Sequence, residues 1–298
     1  MSTRVTTAFV FAGGGSLGAV QVGMLRALVA HGLKADLVVG SSVGAINAAW
    51  FAGNPTREGV ARLESIWRGL HRADVFPVAL MDGMLALLAR RDFLVAPTAL
   101  AALLERHLSY RRLEEAKLPC HIVATDLLDG LEVRLSSGPV VPALLASAAI
   151  PGVFPPVQID GRYLIDGGVA SHTPITAAVE LGAEHLIVLP TGYSCTLQAP
   201  PRGAIAAALQ GLNILIARQL VQEVRSLAAR ARIEVVPPLC PLAVSPFDFE
   251  ATGGLIDRAA AETERWLAHG VEQTEGVPHQ LPPHTHRPVA DPYAAVSI

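Results

Sequence analysis

The first 55 residues constrain the fold most, because two apolar runs each break off into a cluster of small residues and a helical pattern follows each. Thr6–Ala12 reads as a buried strand that ends on Gly13-Gly14-Gly15-Ser16-Leu17-Gly18. From about Ser16 to His31, Leu17, Val20, Met24, Leu25 and Leu28 recur at helical spacing, with Gly32 as the residue just past the end. Asp36–Gly40 is a second apolar strand, continuous rather than alternating, as strands buried on both faces are. It ends on Gly40-Ser41-Ser42-Val43-Gly44, and a helix runs from Val43 until Gly53-Asn54-Pro55 stops it. Strand, helix, strand in a right-handed crossover makes the strands parallel. The two small-residue clusters then lie at the same end of one sheet.

The rest of the chain continues the alternation. Strands are expected at Cys120–Thr125 and Leu131–Leu135 around a tight turn at Asp129-Gly130, at Arg162–Ile165, at His185–Leu189 and at Ile233–Val236. Helices are expected from Thr56 to about Leu70, from Pro97 to Leu108, over Val140–Ala149, from Pro174 at the first helical position to Gly182, and at 203–232 and 251–269. Strands separated by helices imply a three-layer α/β/α fold around a mostly parallel central sheet. We expect one domain over 1–275 and a Pro- and His-rich mobile tail over 276–298. Val75–Val95 is apolar on nearly all sides and reads equally as a cap over a binding site or as a buried helix.

Composition removes several classes. With 16% charged residues and a net charge of −3, the chain is neither a disordered segment nor a basic nucleic-acid binder. It is 51% hydrophobic, yet its long uncharged stretches, Val5–Leu25 and Leu37–Thr56, are broken by glycine clusters, so no spanning helix is expected. Arg4 and the apolar run behind it imitate a signal peptide, but the run is too short and reads as the first strand. Cys120, Cys195 and Cys240 have neither disulfide nor metal spacing, which favours a cytoplasmic location. His279, His284 and His286 lack the Cys or carboxylate partners of a metal site.

Two motifs carry chemistry. Gly13, Gly15 and Gly18 fit a dinucleotide fingerprint, which makes a dinucleotide-binding protein the alternative reading. That fingerprint needs an acidic residue at the C-terminal end of the next strand, and Asp36 precedes the strand instead. The end of that strand carries G-x-S-x-G, with Gly40 and Gly44 flanking Ser42. Small flanking residues allow a sharp strand-to-helix turn that exposes the hydroxyl of a nucleophile at the positive end of a helix. The neighbouring glycine loop, Gly13, Gly14, Gly15 and Gly18, is then placed to offer N–H groups to an oxyanion. The base is open between Asp166, which ends a strand before Gly167-Gly168, and a histidine at 172, 185 or 269.

Taken together, Gly13–Gly18, Gly40–Gly44 and Asp166-Gly167-Gly168, with Ala146–Pro151 and Phe154-Pro155-Pro156 before the aspartate, resemble the patatin-like phospholipase family over about Val5 to Leu189. The resemblance implies a Ser42–Asp166 dyad without histidine, no cofactor and no metal. It also implies lipid or long-chain ester substrates, met in transient contact with a membrane surface by a cytoplasmic or peripheral enzyme. Leu17 stands where the family commonly has Arg or Lys, so only backbone donors are expected from that loop.

Overall fold

Side-chain alternation along the first strand sorts the molecule into layers. In β1 (Thr7–Phe11), Phe9 and Phe11 enter one core while Ala8 and Val10 enter another. The structure is a computed structural model and describes residues 5–76, 93, 95–192, 204–240, 242, 244–246 and 248–269, with 204–210, 212 and 213 as backbone. In chain order, β1 is followed by α1 (Gly18–Ala30), β2 (Leu37–Ser41), α2 (Val43–Gly53), α3 (Arg57–Gly69), α4 (Arg72–Val75) and α5 (Thr98–His107). Then come β3 (Cys120–Asp126), β4 (Glu132–Leu135), α6 (Val140–Ser147), β5 (Val157–Ile159) and β6 (Arg162–Asp166). The order closes with α7 (Ile175–Glu180), β7 (His185–Leu189), α8 (Ala204–Leu227), β8 (Arg232–Val235) and α9 (Thr252–Ala268).

The expected α/β/α architecture is present. Five strands are parallel in the order β3-β2-β1-β7-β8, and β4, β5 and β6 add antiparallel pairs at the β3 side. Helices α1, α2, α3, α5, α6 and α9 bury their apolar residues against the face bearing Phe9, Phe11 and Val38. Helices α7 and α8 cover the face bearing Val10, Val39 and Val188. Helix α1 is buried well beyond the single face expected of it, because α9 lies across its far side; a methyl at Gly23 would meet Ala259 and the backbone of Ile256.

Strand β3 does something unusual with its edges. Val123 is flanked by Ser41 of β2 and Arg134 of β4, while Ala124 is flanked by Asp166 of β6 and Val133 of β4. A strand has only two edges, so β2 and β6 share one and β4 takes the other. Strand β2 runs up that edge and β6 runs down it. Their C-terminal ends therefore meet head to head beside Val123 and Ala124.

Some local details differ from the sequence reading. The first helix opens with a 3-10 turn at Gly15–Leu17 before α1. Helix α7 begins at Ile175, so Pro174 caps it rather than occupying its first position. The Asp129-Gly130 hairpin has a five-residue turn, and β5 forms in a proline-rich stretch where no strand is expected. Of the Val75–Val95 segment, only Val75, Phe76, Phe93 and Val95 are described, and the 276–298 tail lies outside the described residues. Among the described residues no helix is long and apolar enough to cross a membrane, and no cluster of His, Cys, Asp or Glu is placed to hold a metal ion.

Candidate active site

Ser42 sits between β2 and α2 with φ 55° and ψ −128°. That conformation costs a non-glycine residue about 1–3 kcal/mol, so the surroundings must enforce it. The Ser42 N–H donates to Ser147 Oγ at 2.8 Å, and the Ser147 hydroxyl donates to the Val123 carbonyl at 2.5 Å. The turn is thereby pinned to β3. Gly44 lets it close, because a methyl there would strike the carbonyl oxygens of Phe11 and Ala12, and one at Gly40 would strike the Gly44 carbonyl. The first turn of α2 thus reaches the end of β1, and its partial positive charge points at the Ser42 hydroxyl.

Asp166 ends β6, at the head-to-head junction. Its Oδ2 accepts the Ser42 hydroxyl at 2.6 Å and its Oδ1 accepts the Gly168 N–H at 2.7 Å. The Asp166 N–H donates to the Ala149 carbonyl, and the Asp166 carbonyl accepts the Thr125 hydroxyl at 2.9 Å. Gly167 is the second packing point, since a methyl there would collide with the Val123 carbonyl and Ser41 Oγ. Burial pushes the Asp166 carboxyl up to about 6 against the lowering effect of its bonds from Ser42 and Gly168.

The glycine loop can be followed atom by atom. Gly13 donates its N–H to the His172 carbonyl at 2.9 Å, and its own carbonyl accepts the Thr191 hydroxyl at 2.6 Å. The carbonyls of Gly14 and Gly15 accept the N–H groups of Leu17 and Gly18. Ser16 donates its N–H to the Pro246 carbonyl and its hydroxyl to the Ser245 carbonyl. Gly18 offers its carbonyl to Asn47 Nδ2 at 3.0 Å. Two loop donors remain, the N–H groups of Gly14 and Gly15, which meet no acceptor among the described residues. Of the four expected oxyanion glycines, Gly13 and Gly18 therefore use their N–H groups within the chain.

The other base candidates make no bond to Ser42 or lie elsewhere. The edge of the His172 ring adjoins Gly13 and Ser42, where it would meet a methyl on Gly13, but Ser42 bonds Asp166 instead, and His172 Nδ1 is buried without a partner among the described residues. Burial pulls that ring down to about 4, so it is neutral at pH 7. His185 opens β7 at the far end of the sheet, beside Glu234, and His269 bonds Arg265 at the end of α9. Asp36 accepts the Thr7 N–H at the N-terminal end of β1, the wrong end for a ribose.

An apolar pocket opens beside Ser42. Gly15, Val43, Ile46, Trp50, Trp67, Phe76, Leu100, Leu103 and Phe154 are among its walls. No charged side chain lines it among the described residues.

The family model for patatin-like phospholipases matches residues 9–179, more than half of the chain. This chain belongs to the patatin-like phospholipase family. An uncharacterized NTE family protein of Mycobacterium tuberculosis is 30% identical over 192 residues, covering 63% of this chain and 49% of that protein. Patatin-like phospholipase domain-containing protein 7 of mouse is 28% identical over 195 residues, covering 64% of this chain and 14% of that protein. The chain thus spans about half or less of the relatives it matches. Among solved structures, VipD from Legionella pneumophila superposes with a TM-score of 0.52 at 14% identity, over 90% of this chain and 67% of that one. Human GIVD cytosolic phospholipase A2 gives 0.50 at 12% identity, over 89% and 59%.

Several residues that shape this patatin-like site lie outside the glycine-loop, elbow and aspartate motifs, Ser147 falling in the Ala146–Pro151 block. Ser147, Thr125, Thr191, Gln21 and Asn47 each hold backbone of the elbow, the aspartate or the loop. A signal existed for two of them. Asn47 is the one polar side chain in the α2 segment Val43–Gly53, and Gln21 stands alone in the apolar first two turns of α1.

Proposed function

We propose that the chain is a serine acyl hydrolase, a lipid esterase or phospholipase A-type enzyme, that cleaves carboxylic esters through Ser42 and Asp166. The observation that carries this is the 2.6 Å bond from a strained serine hydroxyl to a buried carboxylate. Ser42 Oγ attacks the ester carbonyl carbon while its proton passes to Asp166 Oδ2. Burial makes that carboxylate a stronger base than an exposed one. The tetrahedral oxyanion accepts from the Gly14 and Gly15 N–H groups, while Gly13 and Gly18 shape the loop. The C–O bond breaks, Asp166 returns the proton to the leaving alcohol, and the acyl group stays on Ser42. Water, giving a proton to the same carboxylate, then attacks the acyl carbon; the bond to Ser42 Oγ breaks, Asp166 returns the proton to that oxygen, and the acid leaves.

The apolar pocket takes the acyl chain, since its described walls offer no charged partner. Lipid contact falls to the same end of the sheet, where Leu127, Leu128 and Leu131 of the β3–β4 turn, with Tyr163 and Val169, are exposed by 46–80%. We place the enzyme in the cytoplasm, touching membranes transiently.

Labelling with a fluorophosphonate probe tests the reading. Wild type should label and Ser42→Ala should not. A series of p-nitrophenyl esters should be cleaved faster as the acyl chain lengthens. Equal labelling of Ser42→Ala, or a preference for acetate over every longer chain, would overturn the assignment.

A further inference from the structure

Deepening the proposed function, and resting on it, one buried network joins the acyl pocket to the glycine loop. Trp67, whose ring lines the pocket with Ser42 and Gly15, donates its indole N–H to Asn47 Oδ1 at 2.9 Å. Asn47 Nδ2 donates to the Gly18 carbonyl at 3.0 Å and to Gln21 Oε1 at 2.8 Å. Gln21 Nε2 donates in turn to the carbonyls of Ala12 and Leu189, at 2.8 and 2.9 Å. Gln21 and Asn47 are fully buried and Trp67 nearly so. Each amide uses both of its hydrogens and its oxygen, and the order of donors is forced. Flipping Asn47 would put its NH2 group against the indole N–H, and flipping Gln21 would put its own against Asn47 Nδ2.

The bonds grip the loop at its two ends, Ala12 before the glycines and Gly18 after them. Thr191, buried beyond β7, holds the Gly13 carbonyl between. In a trans peptide the C=O and the following N–H point in opposite directions. Drawing the Gly13 carbonyl toward Thr191 therefore turns the Gly14 N–H the other way. An apolar pair would fill the space between α1, α2 and α3 at less cost in desolvation. What the polar network adds is direction for backbone carbonyls that a greasy contact leaves free to rotate.

We infer that Asn47, Gln21 and Thr191 are positioning residues that hold the glycine loop with its Gly14 and Gly15 N–H groups toward the oxyanion, and that Trp67 anchors this network to the acyl pocket. Interactions realised in the transition state set kcat, whereas a mere pocket wall sets KM.

The test uses the full chain and two mild variants, Trp67→Phe and Thr191→Val. The first keeps an aromatic wall and removes the N–H; the second keeps shape and removes the hydroxyl. Steady-state kinetics on p-nitrophenyl acetate and p-nitrophenyl decanoate should show kcat falling about tenfold on both esters, with KM within about twofold. Fluorophosphonate labelling, which forms a tetrahedral adduct at the same loop, should slow in parallel. Circular dichroism melts keep the comparison to folded protein; if either variant fails to fold, the other carries the test, and Thr191→Ser, which keeps the hydroxyl, should retain wild-type kcat. Unchanged kcat in folded variants, or a rise in KM for decanoate alone, would overturn the positioning role. Ser42→Ala is the separate control. If it stays active, the dyad assignment has failed; if it is dead while the variants run at wild-type kcat, only the network has failed.

Discussion

The two strands that end at the dyad are made in opposite ways. Strand β2 is buried along its whole length, lies between parallel neighbours and finishes in a strained turn whose determinants sit within five residues, Gly40–Gly44. Strand β6 starts exposed, becomes buried only over Leu164–Asp166, and runs antiparallel along the edge of β3 that β2 vacates. Ser42 is therefore placed by local backbone strain. Asp166 is placed by register, through β3, with Thr125 as its pin. A nucleophile needs its hydroxyl pushed out of the chain's path, and strain does that. A base needs only to arrive at the correct distance, and sheet register does that without strain.

Removing the base should have the largest effect. Asp166→Asn keeps the shape and one acceptor oxygen, which the Gly168 N–H takes, so its NH2 group faces the Ser42 hydroxyl and no basic oxygen remains. We expect kcat to fall about 10⁴-fold, read with a soluble chromogenic ester. The wild-type enzyme should lose kcat/KM below an inflection near pH 6, where Asp166 takes up a proton. Stability should move the other way. The folded-state value of about 6 lies above the ordinary 3.8, so the folded chain binds this proton more tightly than the unfolded chain does. That stabilisation is complete below pH 3.8 and is lost as pH rises through 6. Asp166→Asn carries no such loss. Its melting temperature should exceed wild type at pH 8, by the equivalent of 2–3 kcal/mol on the order-of-magnitude scale of linkage, and match it near pH 4. A variant less stable than wild type at pH 8 would show that ionised Asp166 stabilises the fold.

Next comes the pin between the two sides. Ser147→Ala leaves the Ser42 N–H and the Val123 carbonyl without their shared hydroxyl, both buried. Each unsatisfied buried group costs about 1–3 kcal/mol. Denaturant unfolding should show a loss in that range. Activity should fall about 10–100-fold, because the elbow relaxes its strained φ and moves the hydroxyl off the Asp166 oxygen. The matching change on the base side, Thr125→Val, frees the Asp166 carbonyl and the Ala170 N–H but strains nothing, so its kinetic effect should be smaller. An equal effect from both would mean that strain at Ser42 adds nothing to its placement.

The same contrast explains what the sequence revealed. The α/β order was legible because buried parallel strands are continuous apolar runs, and Val38–Val39 or Leu186–Leu189 cannot be mistaken for a surface. The elbow was legible because Gly40, Ser42 and Gly44 are adjacent. Asp166 was reached from Asp-Gly-Gly and a family resemblance, since no local rule says that β6 will abut β2. Gly13 and Gly18 were expected to donate to an oxyanion, yet their N–H groups are taken by the His172 carbonyl and by the first turn of the helix. Which donor stays free depends on partners far along the chain, such as His172 and Pro246. β5 escaped notice because three residues next to prolines carry too little pattern.

The smallest effect concerns how the base side meets lipid. Beyond Asp126 and Tyr163, the β3 and β6 strands lead into turns that leave the sheet, and Leu128 is 80% and Leu131 62% exposed there. The turn satisfies its own backbone: Leu128 N–H donates to Asp126 Oδ1, Leu131 N–H to Asp129 Oδ1, Gly130 N–H to the Asp126 carbonyl and Leu127 N–H to the Tyr163 carbonyl. It can therefore enter a headgroup layer with most of its donors already met. Burying a leucine is worth about 1.5–3 kcal/mol, of which a shallow insertion recovers a part. Leu128→Ser with Leu131→Ser should weaken flotation with phosphatidylcholine vesicles up to about tenfold, leave soluble-ester kcat within about twofold and shift stability by less than about 0.5 kcal/mol. The nearby charges, Asp129, Asp160 and Arg162, do not favour anionic lipid, so raising salt should not release the protein. Salt-sensitive binding, or binding unchanged in the double variant, would move the lipid-facing surface away from the base side of the site.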